Sequence, residues 1–218
     1  MKREPRDMGE QQPNQWDDIF RREGEVFPEI QEDMPKVVEA LKKEGVKDVL
    51  DLACGAGRHS VYLAEQGFNV SGIDASPSGI DITKSRLEAE SFQGDFRVGN
   101  IYEQLPFADG SFQAIVSTQA MHHNTIEKIR MLIKEMERVL APNGVLFITV
   151  SKEQKPGDQE IAPKTFVPTS GGEKGLPHYY FGEDGLAEEF GDFDARIWEE
   201  SDGRHLCLLG KLKEKKDE

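Results

Sequence analysis

Between Val46 and Val150 the sequence switches four times from a short apolar run to an amphipathic helical stretch. Few architectures accept that order. A chain that alternates strand and helix lays its strands parallel and covers both faces of the sheet with helices. Residues 48–53, 68–73, 96–98, 112–117 and 145–150 read as the strands. Residues 58–66 and 126–140 read as helices, and another starts after Ser76-Pro77, an N-cap followed by proline at the first helical position, and runs to about 89. Ile126, Ile129, Leu132, Ile133, Met136, Val139 and Leu140 recur at three and four, one wet and one dry face. Farther on, 193–199 and 205–212 read as a hairpin around Gly203 and Arg204, preceded by a helix over 185–190. The fold expected is α/β: three layers, a doubly wound Rossmann-like and mostly parallel seven-stranded sheet, with a C-terminal antiparallel hairpin.

The 218 residues, 37% of them hydrophobic, suffice for one full core. The expected organisation is a tail over 1–14, a single domain over 15–213 and a charged tail over 214–218. Within the domain, 46–151 is the ligand-binding core and 152–213 the loop and hairpin beyond it. Trp16, Ile19 and Phe20 mark a short amphipathic helix, and 35–44 a second. Residues 151–175, rich in Pro, Gly, Lys and Ser, read as one long loop. The formal charge of −14 disfavours a nucleic-acid backbone or an anionic membrane as partner. Cys54 and Cys207 stand alone, so neither a disulfide framework nor a cysteine metal site is expected, and a reducing cytoplasm is the default location.

The most informative segment is Asp51-Leu52-Ala53-Cys54-Gly55-Ala56-Gly57, a glycine turn between a strand and a helix. Such a turn lets a ligand approach the backbone. Two features separate it from a dinucleotide fingerprint. Ser60 stands where the third glycine would be, and Asp51 places a carboxylate where an anionic pyrophosphate would have to lie. A carboxylate there suits an ammonium or sulfonium group, which weighs against a nicotinamide-dependent oxidoreductase. Asp74, 17 residues after Gly57, ends the second strand, where an acid can accept both hydroxyls of a ribose.

On these residues the chain resembles the class I S-adenosylmethionine-dependent methyltransferases of the type 11/25, tellurite-resistance-like group, over roughly 16–212. The glycine turn and Asp74 carry the resemblance, together with Gly99-Asn100-Ile101, Leu105-Pro106-Phe107 and Arg138-Val139-Leu140-Ala141-Pro142-Asn143-Gly144. The chain departs from the group at Asn100 and Gln113, where it often has Asp. The resemblance implies S-adenosylmethionine as cofactor and in-line methyl transfer to an acceptor. Ala53, Gly55 and Gly57 would lie against its methionine part, and Asp51 would orient its ammonium directly or through water. Asp74 would take the ribose diol, Ala75 and Ile101 would bracket the adenine, Asn100 would meet its edge, and Gln119 would lie beside the transferring methyl.

The acceptor side is less legible. A sulfonium already carries its leaving group, so the protein chiefly aligns the reactants and excludes water. His122, in Met121-His122-His123-Asn124, and His178 and Tyr179, in His178-Tyr179-Tyr180-Phe181, are the candidate catalytic residues. No metal site is expected, because the five histidines lack ligand spacing and adjacent histidines on a helix diverge. Ser117-Thr118-Gln119-Ala120 is not the Asn/Asp-Pro-Pro-Tyr of adenine- or glutamine-directed enzymes. A small-molecule methyl acceptor is the class that remains. The other reading is a non-catalytic S-adenosylmethionine- or nucleoside-binding regulatory protein. Oligomeric state cannot be read from the chain.

Overall fold

A computed structural model describes residues 12–152, 154 and 156–214. The tail expected before residue 12 and the charged residues after 214 lie outside the described residues. Residues 12–14, expected in that tail, already belong to helix α1 (Gln12–Glu23).

Strands β1 (Asp48–Leu52), β2 (Asn69–Asp74), β3 (Asp95–Val98), β4 (Phe112–Thr118), β5 (Leu140–Ser151), β9 (Phe193–Glu199) and β10 (His205–Leu212) form one seven-stranded sheet. Its order is β3-β2-β1-β4-β5-β10-β9, a doubly wound sheet as expected. The first five strands pair in parallel, and β10 pairs antiparallel with both β5 and β9. The strand order reverses between β1 and β4, so the carboxyl ends of these neighbouring strands border a crevice, with β2 beside it.

Alternation along the strands sends neighbours to opposite layers. On one face Leu50, Leu52, Leu146, Ile148 and Leu208 pack with helix α5 (Ile126–Val139) and Leu186 and Phe190 of the α6 region (α6, Glu183–Glu189). On the other, Val49, Val116, Val145, Phe147 and Cys207 pack with α2 (Met34–Lys43), α3 (Arg58–Glu65) and α4 (Pro77–Ala89). Most of the apolar stripe of α5 lies inside: Ile129, Leu132, Met136 and Val139 are each 0% exposed, while Ile126 at its start is half-buried. Each such side chain contributes about 1.5–3 kcal/mol. Ser76 caps α4 by accepting from Gly79 N at 2.9 Å. The departure at Gln113 is structural: its Oε1 accepts from Lys47 N at 2.7 Å and so tethers the entry to β1.

The long loop expected over 151–175 is corrected. Two short stretches of it, β6 (Gln159–Ala162) and β7 (Thr165–Val167), join β8 (His178–Tyr179) beyond it in a second, three-stranded antiparallel sheet. Register pairs Phe166 with His178 and Thr165 with Tyr179. This small sheet brings His178 back beside the end of β4.

Candidate active site

The carboxyl ends of β1 and β4 carry unusual backbone. Ala53 and Gln119, neither a glycine, have φ of 62° and 54°. Left-handed conformations at non-glycine residues persist only where surroundings hold them, and they concentrate at functional sites. Both are held. Ala53 N and Cys54 N donate to Ile73 O at 2.8 and 3.1 Å. Gln119 N is 3.0 Å from both the carbonyl and the hydroxyl oxygen of Thr149.

The glycine turn is braced from both sides. Gly55 N donates to Asp74 Oδ2 and Ser76 N to Asp74 Oδ1, each at 2.8 Å. Thr83 Oγ1 donates to Gly55 O at 2.9 Å, and Arg86 donates to Ala56 O at 3.0 Å. Burial raises the Asp74 carboxyl above its usual range, and the backbone N–H groups of Ser76 and Gly55 work against that rise.

Over the turn lies α1. Phe20 sits where a Cβ on Gly55 would meet its ring at 3.0 Å. Asp17 Oδ1 accepts from Ser78 N at 2.8 Å and Ser76 Oγ at 2.9 Å, which ties α1 to the start of α4. The Ser78 N–H holds the Asp17 carboxyl well below the usual carboxylate range. Gln15 reaches the other wall, donating to Gly172 O and to Lys174 O. Asp17→Ala is expected to loosen α1 and weaken nucleoside binding by about 1 kcal/mol, the typical cost of a lost cap and roughly fivefold in dissociation constant. Titration of S-adenosylhomocysteine followed by tryptophan fluorescence checks this, because Trp16 lines the same space. An unchanged constant would show that α1 does not close the site.

Beneath α1 is a cavity of about 590 Å³. That lies within the usual range for a small-molecule site. Of the residues expected at the cofactor, Ala53, Gly55, Asp74, Ala75, Asn100, Ile101 and Gln119 line it. Asp51 and Gly57 do not; they stand one layer behind. Asp51 is 2% exposed and accepts from Ser60 Oγ at 2.6 Å. Burial pushes its carboxyl up to about 6, with the Ser60 bond and the Arg58 charge opposing. Gly57 caps α3 with φ 79° and serves the turn rather than the cavity wall. Asn100 Oδ1 accepts from Tyr102 N at 3.0 Å, which fixes the amide at the cavity edge.

At the other end His122 and His178, two of the candidate catalytic residues, line the cavity. Tyr179 does not. Its ring packs against the core, 4.8 Å from Phe181 centroid to centroid, and its N–H donates to His122 O at 2.8 Å. Tyr180 takes its place at the cavity, because successive residues of an extended strand face opposite ways. The argument that adjacent histidines diverge does not apply here. His122 and His123 sit in a turn rather than a helix, with ring centroids 4.3 Å apart.

Several lining residues escaped the sequence reading. Arg58 donates to Glu29 O at 3.0 Å and lies 3.5 Å from Gln119 Oε1, placing a cation between the two strained strand ends. Its position directly after the glycine turn was the available signal. His59 accepts from Gln31 N at 3.0 Å through Nε2, so its proton is on Nδ1, 3.1 Å from Thr118 Oγ1. Burial and the Arg58 charge lower it to about 3, so it stays neutral. Glu173 and Ser151 carried no sequence signal at all.

Residues 49–144 match the methyltransferase-domain family. Over those residues, a little under half of its length, the chain is similar to a methyltransferase domain. An uncharacterized methyltransferase of Synechocystis is 36% identical over 97 residues, covering 44% of this chain and 43% of that protein. Human EEF1A lysine methyltransferase 2 is 32% identical over 158 residues, covering 62% of this chain and 65% of that protein. The chain thus spans less than two thirds of the length of these relatives. The 1,6-didemethyltoxoflavin-N1-methyltransferase of Burkholderia thailandensis, solved with 1,6-didemethyltoxoflavin and S-adenosylhomocysteine bound, superposes with a TM-score of 0.73. It is 16% identical, over 98% of this chain and 92% of that one. The doubly wound, mostly parallel sheet with its C-terminal antiparallel hairpin is the fold expected from the sequence. Among the described residues no helix is long and apolar enough to cross a membrane.

Proposed function

We propose that the protein transfers a methyl group from S-adenosylmethionine to a small-molecule acceptor. The observation that carries this reading is one cavity, covered by α1, that joins the Asp74-braced glycine turn to the histidine end. The nucleoside belongs at the turn. Asp74 takes the ribose diol, since each of its oxygens accepts one backbone bond and keeps room for a hydroxyl. Ala75 and Ile101 bracket the base and Asn100 meets its edge. Gln119 and Arg58 flank the methionine part, Arg58 as the cation for its carboxylate. Asp51 favours the ligand's positive charge from behind the wall.

The covered cavity also bears on the acceptor. A metabolite fits beneath α1, whereas a folded protein or an RNA helix would need α1 and the second sheet moved aside. The charge of −14 points the same way. No general base is required when the acceptor atom is already a free nucleophile; otherwise His122 or His178 can take the proton. In-line transfer then follows from alignment of acceptor, methyl and sulfur within a closed space.

The test is direct. Calorimetry should show binding of S-adenosylhomocysteine, and a panel of small acceptors should yield S-adenosylhomocysteine from S-adenosylmethionine. Tight binding without turnover across a broad panel would favour the regulatory reading; absence of binding would end both. His122→Ala and His178→Ala are expected to leave the affinity near wild type while lowering turnover. Equal losses in both would make these residues structural.

A pH dependence follows from Asp51. A bound ammonium favours the ionised carboxylate, so below about 6 binding must expel a proton. Affinity should therefore be level above that pH and fall below it, by at most about tenfold per pH unit. Asp51→Asn should flatten the profile. A wild-type profile level from pH 7 to 5 would separate Asp51 from the ligand's charge.

A further inference from the structure

Three imidazoles converge at the acceptor end of the cavity. His122 and His123 come from the turn after β4, and His178 from β8. One ring nitrogen of each lies within 4.8 Å of the other two. The residues are 2%, 7% and 3% exposed. Ring centroids are 4.3 Å apart for His122 and His123, and 4.5 Å for His123 and His178. Glu173 adds a carboxylate, with Oε2 3.5 Å from His178 Nε2 and Oε1 3.7 Å from His123 Nε2.

The rings are also aimed from behind. His178 Nδ1 is 2.9 Å from Leu176 O. A carbonyl only accepts, so in the neutral ring Nδ1 carries the proton and Nε2 turns its lone pair toward His123 and Glu173. His122 Nε2 lies 2.9 Å from Ser151 Oγ. An outer hydrogen bond that fixes the ring and its tautomer is the usual support of a metal-binding histidine. A core gains little from this arrangement. Three buried imidazoles cost desolvation, and no two can be charged together without repulsion. A divalent cation satisfies all three lone pairs and the carboxylate at once.

We propose that His122, His123, His178 and Glu173 form a site for a divalent transition-metal ion of the zinc type. Imidazole with one carboxylate suits zinc, cobalt, iron or nickel and suits magnesium or calcium poorly. Bonds of about 2.0–2.1 Å need tetrahedral donors roughly 3.3 Å apart, so the rings close by about 1.5 Å at most on binding. Its role rests on the methyl-transfer reading. The site shares the cavity with Gln119 and Ser151, so an oxygen of the acceptor would enter as a fifth ligand or in place of Glu173, and the ion rather than a bound histidine would then ease its deprotonation. The acceptor class is then a small molecule that presents a hydroxyl or carboxylate oxygen to the ion.

The test uses tag-free, chelator-treated protein. Equilibrium dialysis against Zn²⁺ and the visible spectrum of added Co²⁺ should report one ion per chain with nitrogen-rich coordination. The double substitution His123→Gln/His178→Gln should weaken binding more than the roughly 10- to 100-fold that loss of an outer partner alone costs. Should that variant fail to fold, Glu173→Gln, on a partly exposed side chain, should still weaken Zn²⁺ binding severalfold. Wild-type protein that binds neither ion stoichiometrically would overturn the proposal. So would binding unchanged by both variants, which would place the ion elsewhere, for instance at Glu200, Asp202 and His205. S-adenosylhomocysteine titration of the same samples keeps the two readings apart. Metal binding without nucleoside binding sinks only the methyltransferase activity, and the reverse sinks only the metal site.

Discussion

Asp74→Ala is expected to weaken S-adenosylmethionine binding by about 1.5–3 kcal/mol, the cost of a lost hydrogen bond to a charged acceptor. That is roughly a 10- to 100-fold rise in dissociation constant. The carboxylate is asked to do two things. It holds Gly55 N and Ser76 N, and it offers its remaining acceptor capacity to the ligand. The two contributions separate in the measurement. Loss of the brace lowers the melting temperature of the unliganded protein, while loss of the ribose contact lowers affinity without that change. A folded variant with an unaltered dissociation constant would remove Asp74 from the binding site and with it the main anchor of the proposed ligand pose.

Gly57→Ala is expected to be strongly destabilising. At φ 79° a side chain carries a conformational cost of roughly 1–2 kcal/mol. Its Cβ would also stand 2.7 Å from both Cγ2 and Oγ1 of Thr83 and 2.9 Å from its Cβ. Thr83 cannot simply rotate away, because it is β-branched and its hydroxyl is bonded to Gly55 O at 2.9 Å. Overpacking adds about 1–3 kcal/mol. For a chain of this size the sum corresponds to a fall in melting temperature of roughly 5–15 °C. Adding Thr83→Ala should return the packing part and leave the backbone part, a coupling that a double-mutant cycle measures. A melting temperature within a degree or so of wild type would mean that the turn does not press on α4 as described.

The sequence was most informative where local pattern and global role coincide. The bounds of β9, β10 and α4 follow from turns, caps and alternation within each segment, and the structure has them at the expected residues. The cavity's wall at the glycine turn is legible for the same reason, since Gly55, Asp74 and Asn100 lie at or just past strand ends that the pattern locates. The second sheet was not readable. Gln159, Glu160, Ile161 and Ala162 of β6 are all exposed, so no alternation marks the strand, and its pairing with β7 is set by tertiary contact. The phase of a two-residue strand such as β8 does not show in the pattern, so the sequence points to Tyr179 where Tyr180 faces the cavity. The histidine cluster was hidden by distance along the chain. Nothing near His122 and His123 announces His178; the pairing of β7 with β8 and the bond from Tyr179 N to His122 O bring them together.

The anchors of α1 have a consequence for the order of assembly during synthesis. Its partners, Ser76 and Ser78 for Asp17 and the carbonyls of Gly172 and Lys174 for Gln15, are all made later, the last of them 159 residues downstream. A helix of 12 residues is marginal in water by itself. Helix α1 therefore leaves the ribosome well before its partners exist and docks only after them, and a nascent chain that stops short of the second sheet presents an open crevice with its cover still unfastened.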